Sequence, residues 1–166
     1  MTKVLIAGFT GAMGQKAVRL VQESDGYELV AGFAADVTSK DPKDYDLPAG
    51  VAIYGDLNEI QTDADIWIDF TLPSAVYANT KFAIEHGIHP VIGTTGLTDD
   101  QVSELQELAD AKHLGGLIAP NFGMSAVLLM KFAKEAAKYF PDVEIIEMHH
   151  DNKADAPSGT ALSTAT

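Results

Sequence analysis

Short apolar runs alternate along the chain with longer stretches whose apolar residues recur at helical spacing. Val4-Leu5-Ile6-Ala7 reads as a buried strand, followed by a glycine turn and by Met13 to Val21 with the three-to-four-residue period of a helix. Tyr27 to Ala34, Val51 to Tyr54 and Ile66 to Phe70 predict three more strands, and Ala35 to Gly50, with Pro42, Pro48 and many aspartates, predicts a loop. Pro73 opens a helix that Gly87 closes, because proline suits the first turn and glycine the position past the end. His89 to Ile92 is the next strand, and Thr98 with Gln101 has capping-box spacing for the helix after it. Leu117 to Ala119 reads as a strand, Ser125 to Tyr139 as a long helix stopped by Pro141, Val143 to Met148 as a strand, and Gly159 starts a further helix. Strands alternating with helices in this way predict an α/β fold, a parallel sheet with helices on both faces.

Composition narrows the possibilities. The 166 residues suit one domain, or one domain and part of another. At 46% hydrophobic and 21% charged, the chain is that of a globular protein. There is no cysteine, which excludes disulfides, thiolate metal sites and a thiol nucleophile and is compatible with a reducing cytoplasm. No metal site is expected. The run before the first glycine is too short for a signal peptide, and no run approaches a membrane span. A net charge of −13 argues against nucleic acid as the main partner, since phosphate contacts need clustered Lys and Arg. It does not argue against a small anionic ligand, whose site is local.

Gly8, Gly11 and Gly14 fall between the first strand and its helix. There a chain that holds a dinucleotide must turn sharply, let a pyrophosphate approach the backbone and aim helix N–H groups at it. The spacing is G-x-x-G-x-x-G, looser than the usual fingerprint, and a ligand-free glycine turn is the competing explanation. An acid to read the ribose is expected about 20 residues on. Asp36 is the candidate, with no arginine beside it to take a 2′-phosphate, so NADH and NADPH both stay open. Ligands of such sheets bind beyond the carboxyl ends of the strands. Phe70-Thr71, Gly93-Thr94-Thr95-Gly96 and Ala119-Pro120-Asn121-Phe122 all fall there, which a continuous cleft explains better than three unrelated turns.

The stretch from Glu147 to Thr160 concentrates two of the five histidines, Lys153 and a Ser-Gly-Thr turn between a strand and a helix. Hydroxyls and free N–H groups at such a turn suit a carboxylate or phosphate, and His or Lys can act as a general acid near neutral pH. Adjacent histidines on a strand face opposite ways, which makes His149 and His150 an awkward metal pair. A solvated polar loop is the alternative. His86, His89 and His113 sit at element ends, where structural roles are the default.

His149-His150-x-x-Lys153-x-Asp155-Ala156-Pro157-Ser158-Gly159-Thr160-Ala161 resembles the signature of the 4-hydroxy-tetrahydrodipicolinate reductase (dihydrodipicolinate reductase) family. Upstream, Gly8-x-x-Gly11-x-Met13-Gly14, Asp69-Phe70-Thr71-x-Pro73, Gly93-Thr94-Thr95-Gly96 and Pro120-Asn121-Phe122-Gly123-Met124-Ser125 agree with that family in order, so the likeness covers the whole chain. The resemblance implies a Rossmann-type dinucleotide domain over residues 1–122 and the beginning of an α+β substrate and oligomerisation domain over residues 123–166. It implies a cytoplasmic, homotetrameric enzyme that uses NADH or NADPH to reduce a cyclic unsaturated dicarboxylate to tetrahydrodipicolinate, in the diaminopimelate route to lysine. Gly8, Phe9, Thr10, Gly11, Ala12 and Met13 would then hold the pyrophosphate. Gly93, Thr94, Thr95, Ala119, Pro120, Asn121 and Phe122 would line the nicotinamide side, with Phe70 and Thr71 in the same cleft. His149 and Lys153 match the proton-donating pair, and His150, Ser158, Gly159 and Thr160 the contacts to substrate carboxylates.

Two positions depart from the family pattern. Ala12 stands where an arginine is common, and the acid at the end of the second strand falls on Ala34 or Ala35 in the simplest alignment. Family members also continue well past Thr166, so the chain is expected to be truncated, with Val143 to Thr166 short of sheet partners. Two further readings compete: a dinucleotide-binding fragment that does no chemistry, and an unrelated dehydrogenase of the same fold. The lack of cysteine excludes a thiol-dependent semialdehyde mechanism for the latter.

Overall fold

Strand β1 (Thr2–Ala7) is buried from Val4 to Ala7, and its alternate side chains enter two different cores. Val4 and Ile6 pack on one face of the sheet with Ala17, Val18 and Val21 of helix α1 (Ala12–Glu23); Leu5 and Ala7 pack on the other with Val76 and Ala83 of helix α2 (Val76–Glu85). That division follows from the two-residue side-chain period of a strand, and it is why β1 reads as a continuous apolar run. Strands β2 (Tyr27–Phe33), β3 (Ala52–Tyr54), β4 (Ile66–Asp69), β5 (His89–Ile92) and β6 (Leu117–Ile118) complete a six-stranded, all-parallel sheet. Its order is β3-β2-β1-β4-β5-β6, the Rossmann order, so the chain reverses its direction of winding between β1 and β4. Helix α3 (Asp99–Ala111) carries the expected capping box: Gln101 N–H donates to Thr98 Oγ1 at 3.3 Å, and Gln101 Oε1 accepts from Thr98 N–H at 3.0 Å.

This architecture is that of a computed structural model, which describes residues 1–119, 121–140, 142–149 and 157–165. The described chain divides into two compact units, residues 1–118 and 119–166. The first holds the sheet and α1 to α3. The second holds helix α4 (Met124–Ala137) and the short helix α5 (Gly159–Ala165), with Ala161 N–H donating to Ser158 Oγ at 3.1 Å as a cap.

Three sequence expectations change. The loop Ala35 to Gly50 contains a 3-10 turn at Pro42–Tyr45, which Asp41 caps by accepting from Lys43 N–H at 3.0 Å. Pro73 lies in a turn ahead of α2, which begins only at Val76. Val143 to Met148 is not a strand: no described strand pairs with it, and Ile146 and Met148 are 82% and 91% exposed. An apolar alternation makes a strand only where a ladder of neighbouring N–H and C=O groups receives it.

Candidate functional site

The reversal between β1 and β4 leaves a cleft at the carboxyl ends of β1, β2 and β4. It has a volume of about 330 Å³ and is lined by Gly8, Thr10, Gly11, Phe33, Ala34, Ala35, Asp36, Phe70, Thr71, Leu72, Ala75 and Asn79. Its floor is tied together by main-chain bonds: Gly8 N–H donates to the Phe33 carbonyl at 2.7 Å, and Phe70 N–H to the Ala7 carbonyl at 2.9 Å.

The three glycines have three different jobs. Gly8 has φ +78°, a left-handed conformation, and a Cβ there would lie 2.6 Å from the Phe70 carbonyl carbon. Gly14 is buried in the first turn of α1, where a Cβ would lie 2.7 Å from Phe9 Cα; it lets the helix rest on the turn. Gly11 is the N-cap of α1, with ordinary extended backbone (φ −77°, ψ 164°), and its Cβ would meet only the Gly8 oxygen at 3.4 Å. What its missing side chain leaves free is space in the cleft. No side chain caps α1 and no acid occupies its first turn, so the positive end of the helix dipole is open to an anionic ligand. A dinucleotide pyrophosphate fits this cradle.

The other cofactor candidates divide clearly. Thr10, Phe70 and Thr71 line the cleft with Gly8 and Gly11. Ala12 and Met13 are exposed in the first turn of α1. Phe9 differs from the others: its side chain is 3% exposed, stacks edge-on against Tyr45 at 5.2 Å and belongs to the core, so only its backbone is available to a ligand. Gly93 sits at the end of β5, with its N–H on the Asp69 carbonyl at 2.9 Å; Thr94 is 8% exposed, whereas Thr95 is exposed. Asp36 is exposed on the rim of the cleft and accepts from Thr10 Oγ1 at 2.9 Å. Lys40, the nearest lysine in sequence, is committed to Glu59 at 2.9 Å.

The second unit has its own polar cluster. Glu147 accepts from Ser158 N–H at 2.9 Å and from Ser158 Oγ at 2.5 Å, and His149 Nδ1 lies 4.0 Å from Glu147 Oε2. Asn121 donates from Nδ2 to Thr160 Oγ1 at 3.0 Å and accepts from Gly123 N–H at 2.6 Å. Ser158 is 6% exposed and spends its hydroxyl hydrogen on Glu147, which makes it a brace for the turn. Ala119 and Phe122 lie in this unit, Phe122 being 47% exposed. Pro120, His150 and Lys153 lie outside the described residues.

The remaining histidines take structural places. His86 ends α2 stacked on Phe82 at 3.9 Å, His89 Nδ1 pairs with Gly115 at 2.9 Å, and His113 holds a left-handed turn (φ 57°). Among the described residues no group of three His, Asp or Glu side chains is placed to hold a metal ion, and no helix is long and apolar enough to cross a membrane.

Sequence reasoning missed the residues that hold the cleft wall in place. Asp69 was noted only as part of a motif, yet it is 0% exposed and bonded to Trp67, Thr71, Asn79 and Thr94. The signal was there: one charged residue closes an otherwise apolar strand, and a buried acid must find donors.

Comparison with known proteins gives a consistent result. Residues 2–122 match the family described as "Dihydrodipicolinate reductase, N-terminus", and residues 125–166 match "Dihydrodipicolinate reductase, C-terminus". The chain is 63% identical to the 4-hydroxy-tetrahydrodipicolinate reductase of Limosilactobacillus fermentum, over 99% of this chain and 64% of that protein. It is 64% identical to the enzyme of the same name from Lactobacillus helveticus, over 98% of this chain and 62% of that protein. Among solved structures, the dipicolinate-bound dihydrodipicolinate reductase of Paenisporosarcina sp. TG-14 superposes with a TM-score of 0.78 at 44% identity, covering 99% of this chain and 64% of that one. The chain thus spans less than two thirds of the length of these relatives.

Proposed function

The chain belongs to the dihydrodipicolinate reductase family, and from that premise we propose that it carries the coenzyme site and catalytic loop of an NADH- or NADPH-dependent 4-hydroxy-tetrahydrodipicolinate reductase. The reaction is reduction of that cyclic unsaturated dicarboxylate to tetrahydrodipicolinate, with uptake of a hydride and a proton and departure of the 4-hydroxyl as water, a cytoplasmic step of the diaminopimelate route to lysine. The observation that carries the reading is the open, uncapped start of α1 above the Gly8 turn, at the winding reversal of a parallel sheet and in the same chain as the His149 to Thr160 stretch. Residues 1–122 form the dinucleotide domain in this reading, and residues 123–166 begin the substrate-binding domain, through which the full-length protein forms a homotetramer.

The coenzyme, when bound, supplies the hydride. Everything else falls to the chain. The N–H groups of Ala12 and Met13 bind the pyrophosphate, while the Gly11 N–H closes the turn on the Gly8 carbonyl at 3.0 Å, and the φ of Gly8 opens the approach to the cradle. Gly93 to Thr95 and Ala119 to Phe122 orient the nicotinamide. His149 and Lys153 deliver the proton that the reduced substrate needs, since negative charge left by hydride addition must be quenched by a positioned acid. His150, Gly159 and Thr160 hold a substrate carboxylate, with Lys153 as a charge-assisted donor. Thr160 already receives the Asn121 amide, which leaves its own hydroxyl hydrogen to point at an acceptor, and Ser158 supports the same turn through Glu147.

Calorimetric titration of the 166-residue chain with NADH and NADPH separately, then with pyridine-2,6-dicarboxylate, tests the reading. Saturable binding of a coenzyme is expected, followed by binding of the dicarboxylate to the loaded protein. A chain that melts cooperatively and binds neither coenzyme would overturn it.

A further inference from the structure

Asp69 is the last residue of β4, and five neutral donors converge on its sealed carboxylate. Oδ1 accepts from the Thr71 backbone N–H at 2.9 Å, from the Thr71 hydroxyl at 2.6 Å and from the Thr94 hydroxyl at 2.8 Å. Oδ2 accepts from Trp67 Nε1 and Asn79 Nδ2, both at 3.1 Å. A carboxylate can accept only, with about four lone-pair sites, so these donors saturate it. No cation among the described residues pairs with it. An apolar side chain would serve the core at lower cost than a buried charge. What the carboxylate adds is direction.

A threonine hydroxyl has one hydrogen and two lone pairs. Thr71 gives its hydrogen to Asp69 and receives Asn79 Nδ2 at 3.0 Å, so one lone pair is all it has left for the cleft that it lines. We propose that Asp69 is a positioning residue for the coenzyme: by drawing the Thr71 hydroxyl hydrogen inward, it makes Thr71 an obligate hydrogen-bond acceptor beside the Gly8 turn. Thr71 therefore meets an O–H or N–H donor of the dinucleotide, a ribose hydroxyl or the carboxamide, and not a phosphate oxygen. The phosphates are left to the backbone of the glycine turn, and the two ends of the cleft are distinguished by polarity. This inference rests on the dinucleotide reading above and adds the direction of one of its contacts.

The test compares Thr71→Val, which keeps the shape and removes the hydroxyl, with Thr71→Ser, which keeps the hydroxyl. Affinities for NADH and for ADP-ribose are measured by calorimetry, well below each variant's melting temperature. Thr71→Val should weaken NADH binding about fivefold to tenfold, the range for one hydrogen bond, while Thr71→Ser stays within about twofold of the wild type. The same loss with ADP-ribose identifies a ribose hydroxyl as the donor; a loss confined to NADH identifies the carboxamide. Asp69→Ala removes the acceptor of the Thr71 hydroxyl hydrogen and should weaken NADH binding, while adding little to the loss already seen in Thr71→Val when the two are combined. If Asp69→Ala does not fold, the Thr71 pair decides alone. Wild-type affinity in Thr71→Val, or an equal loss in Thr71→Ser, would overturn the proposal while leaving coenzyme binding intact. A wild-type chain that binds neither ligand would instead overturn the dinucleotide reading itself.

Discussion

Replacing each of the three turn glycines with alanine adds the same methyl group and should give three different results. At Gly14 the new Cβ would lie 2.6 Å from the Gly8 carbonyl carbon and 2.7 Å from Phe9 Cα. Both neighbours are backbone atoms and cannot rotate away, so α1 must lift off β1 and loosen the packing of Ala17, Val18 and Val21. Overpacking of this kind costs about 1–3 kcal/mol. For a unit of 118 residues, a loss of about 2 kcal/mol lowers Tm by roughly 6–12 °C. At Gly8 the backbone itself adds strain, about 1–2 kcal/mol for an L-residue in the left-handed region, on top of the encounter with the Phe70 carbonyl. Gly8→Ala should therefore melt at least as early as Gly14→Ala. At Gly11 two small effects oppose each other. Alanine is a poorer N-cap than glycine, but it also removes about 0.4–1 kcal/mol of unfolded-state entropy. Gly11→Ala should melt within about 3 °C of the wild type, yet bind NADH more weakly because its methyl occupies the cleft. Circular-dichroism melting gives the stabilities. Quenching of Trp67, the single tryptophan, by energy transfer to NADH gives the affinities. If Gly14→Ala melts like the wild type, or Gly11→Ala is the least stable of the three, the steric assignment is wrong.

Three other outcomes are expected. Thr98→Ala removes the capping box of α3 and should cost about 1 kcal/mol in urea unfolding; an unchanged midpoint would show that the cap is idle. Hydrogen bonds from Lys81 and then Tyr77 hold Glu104 below its ordinary value of 4.5, so any stability it confers is complete above that value and is lost as pH falls through the depressed one. The Tm gap between the wild type and Glu104→Gln, small for so exposed a group, should close on going from about pH 7 to about pH 3, and a constant gap would refute the pairing. In a chain extended to the length of its relatives, Lys153→Ala should cut turnover at least about a hundredfold while leaving NADH affinity within about twofold, and unchanged turnover would remove Lys153 from the mechanism.

Local and periodic signals were enough for the sheet. Val4 to Ala7 shows itself as a strand buried on both faces because no polar side chain interrupts it, and Gly8, Gly11 and Gly14 mark a turn because they cluster between that apolar run and the helical period that follows. The His149 to Thr160 stretch stands out in the sequence for a different reason: it concentrates chemistry-bearing residues in one polar segment. Adjacency to the turn says nothing about which way the Phe9 ring goes, and packing against Tyr45 in the following loop decides that. Val143 to Met148 was misjudged because strand pattern alone cannot supply a partner strand.

The sequence by itself determined the order of sheet strands and helices as far as β6, the glycine turn that a pyrophosphate can approach, and the family. Those are properties of neighbours along the chain: a two- or 3.6-residue period, a missing Cβ, a run of named residues. Only the tertiary structure decided what Asp69 does. Its partners lie two, ten and 25 positions away, on the same strand, on α2 and beyond β5, and they meet only because β4 lies beside β5 and beneath α2 in the folded sheet. Which hydrogen a hydroxyl gives, and so which lone pair it keeps for a ligand, is a property of that meeting and of no stretch of sequence.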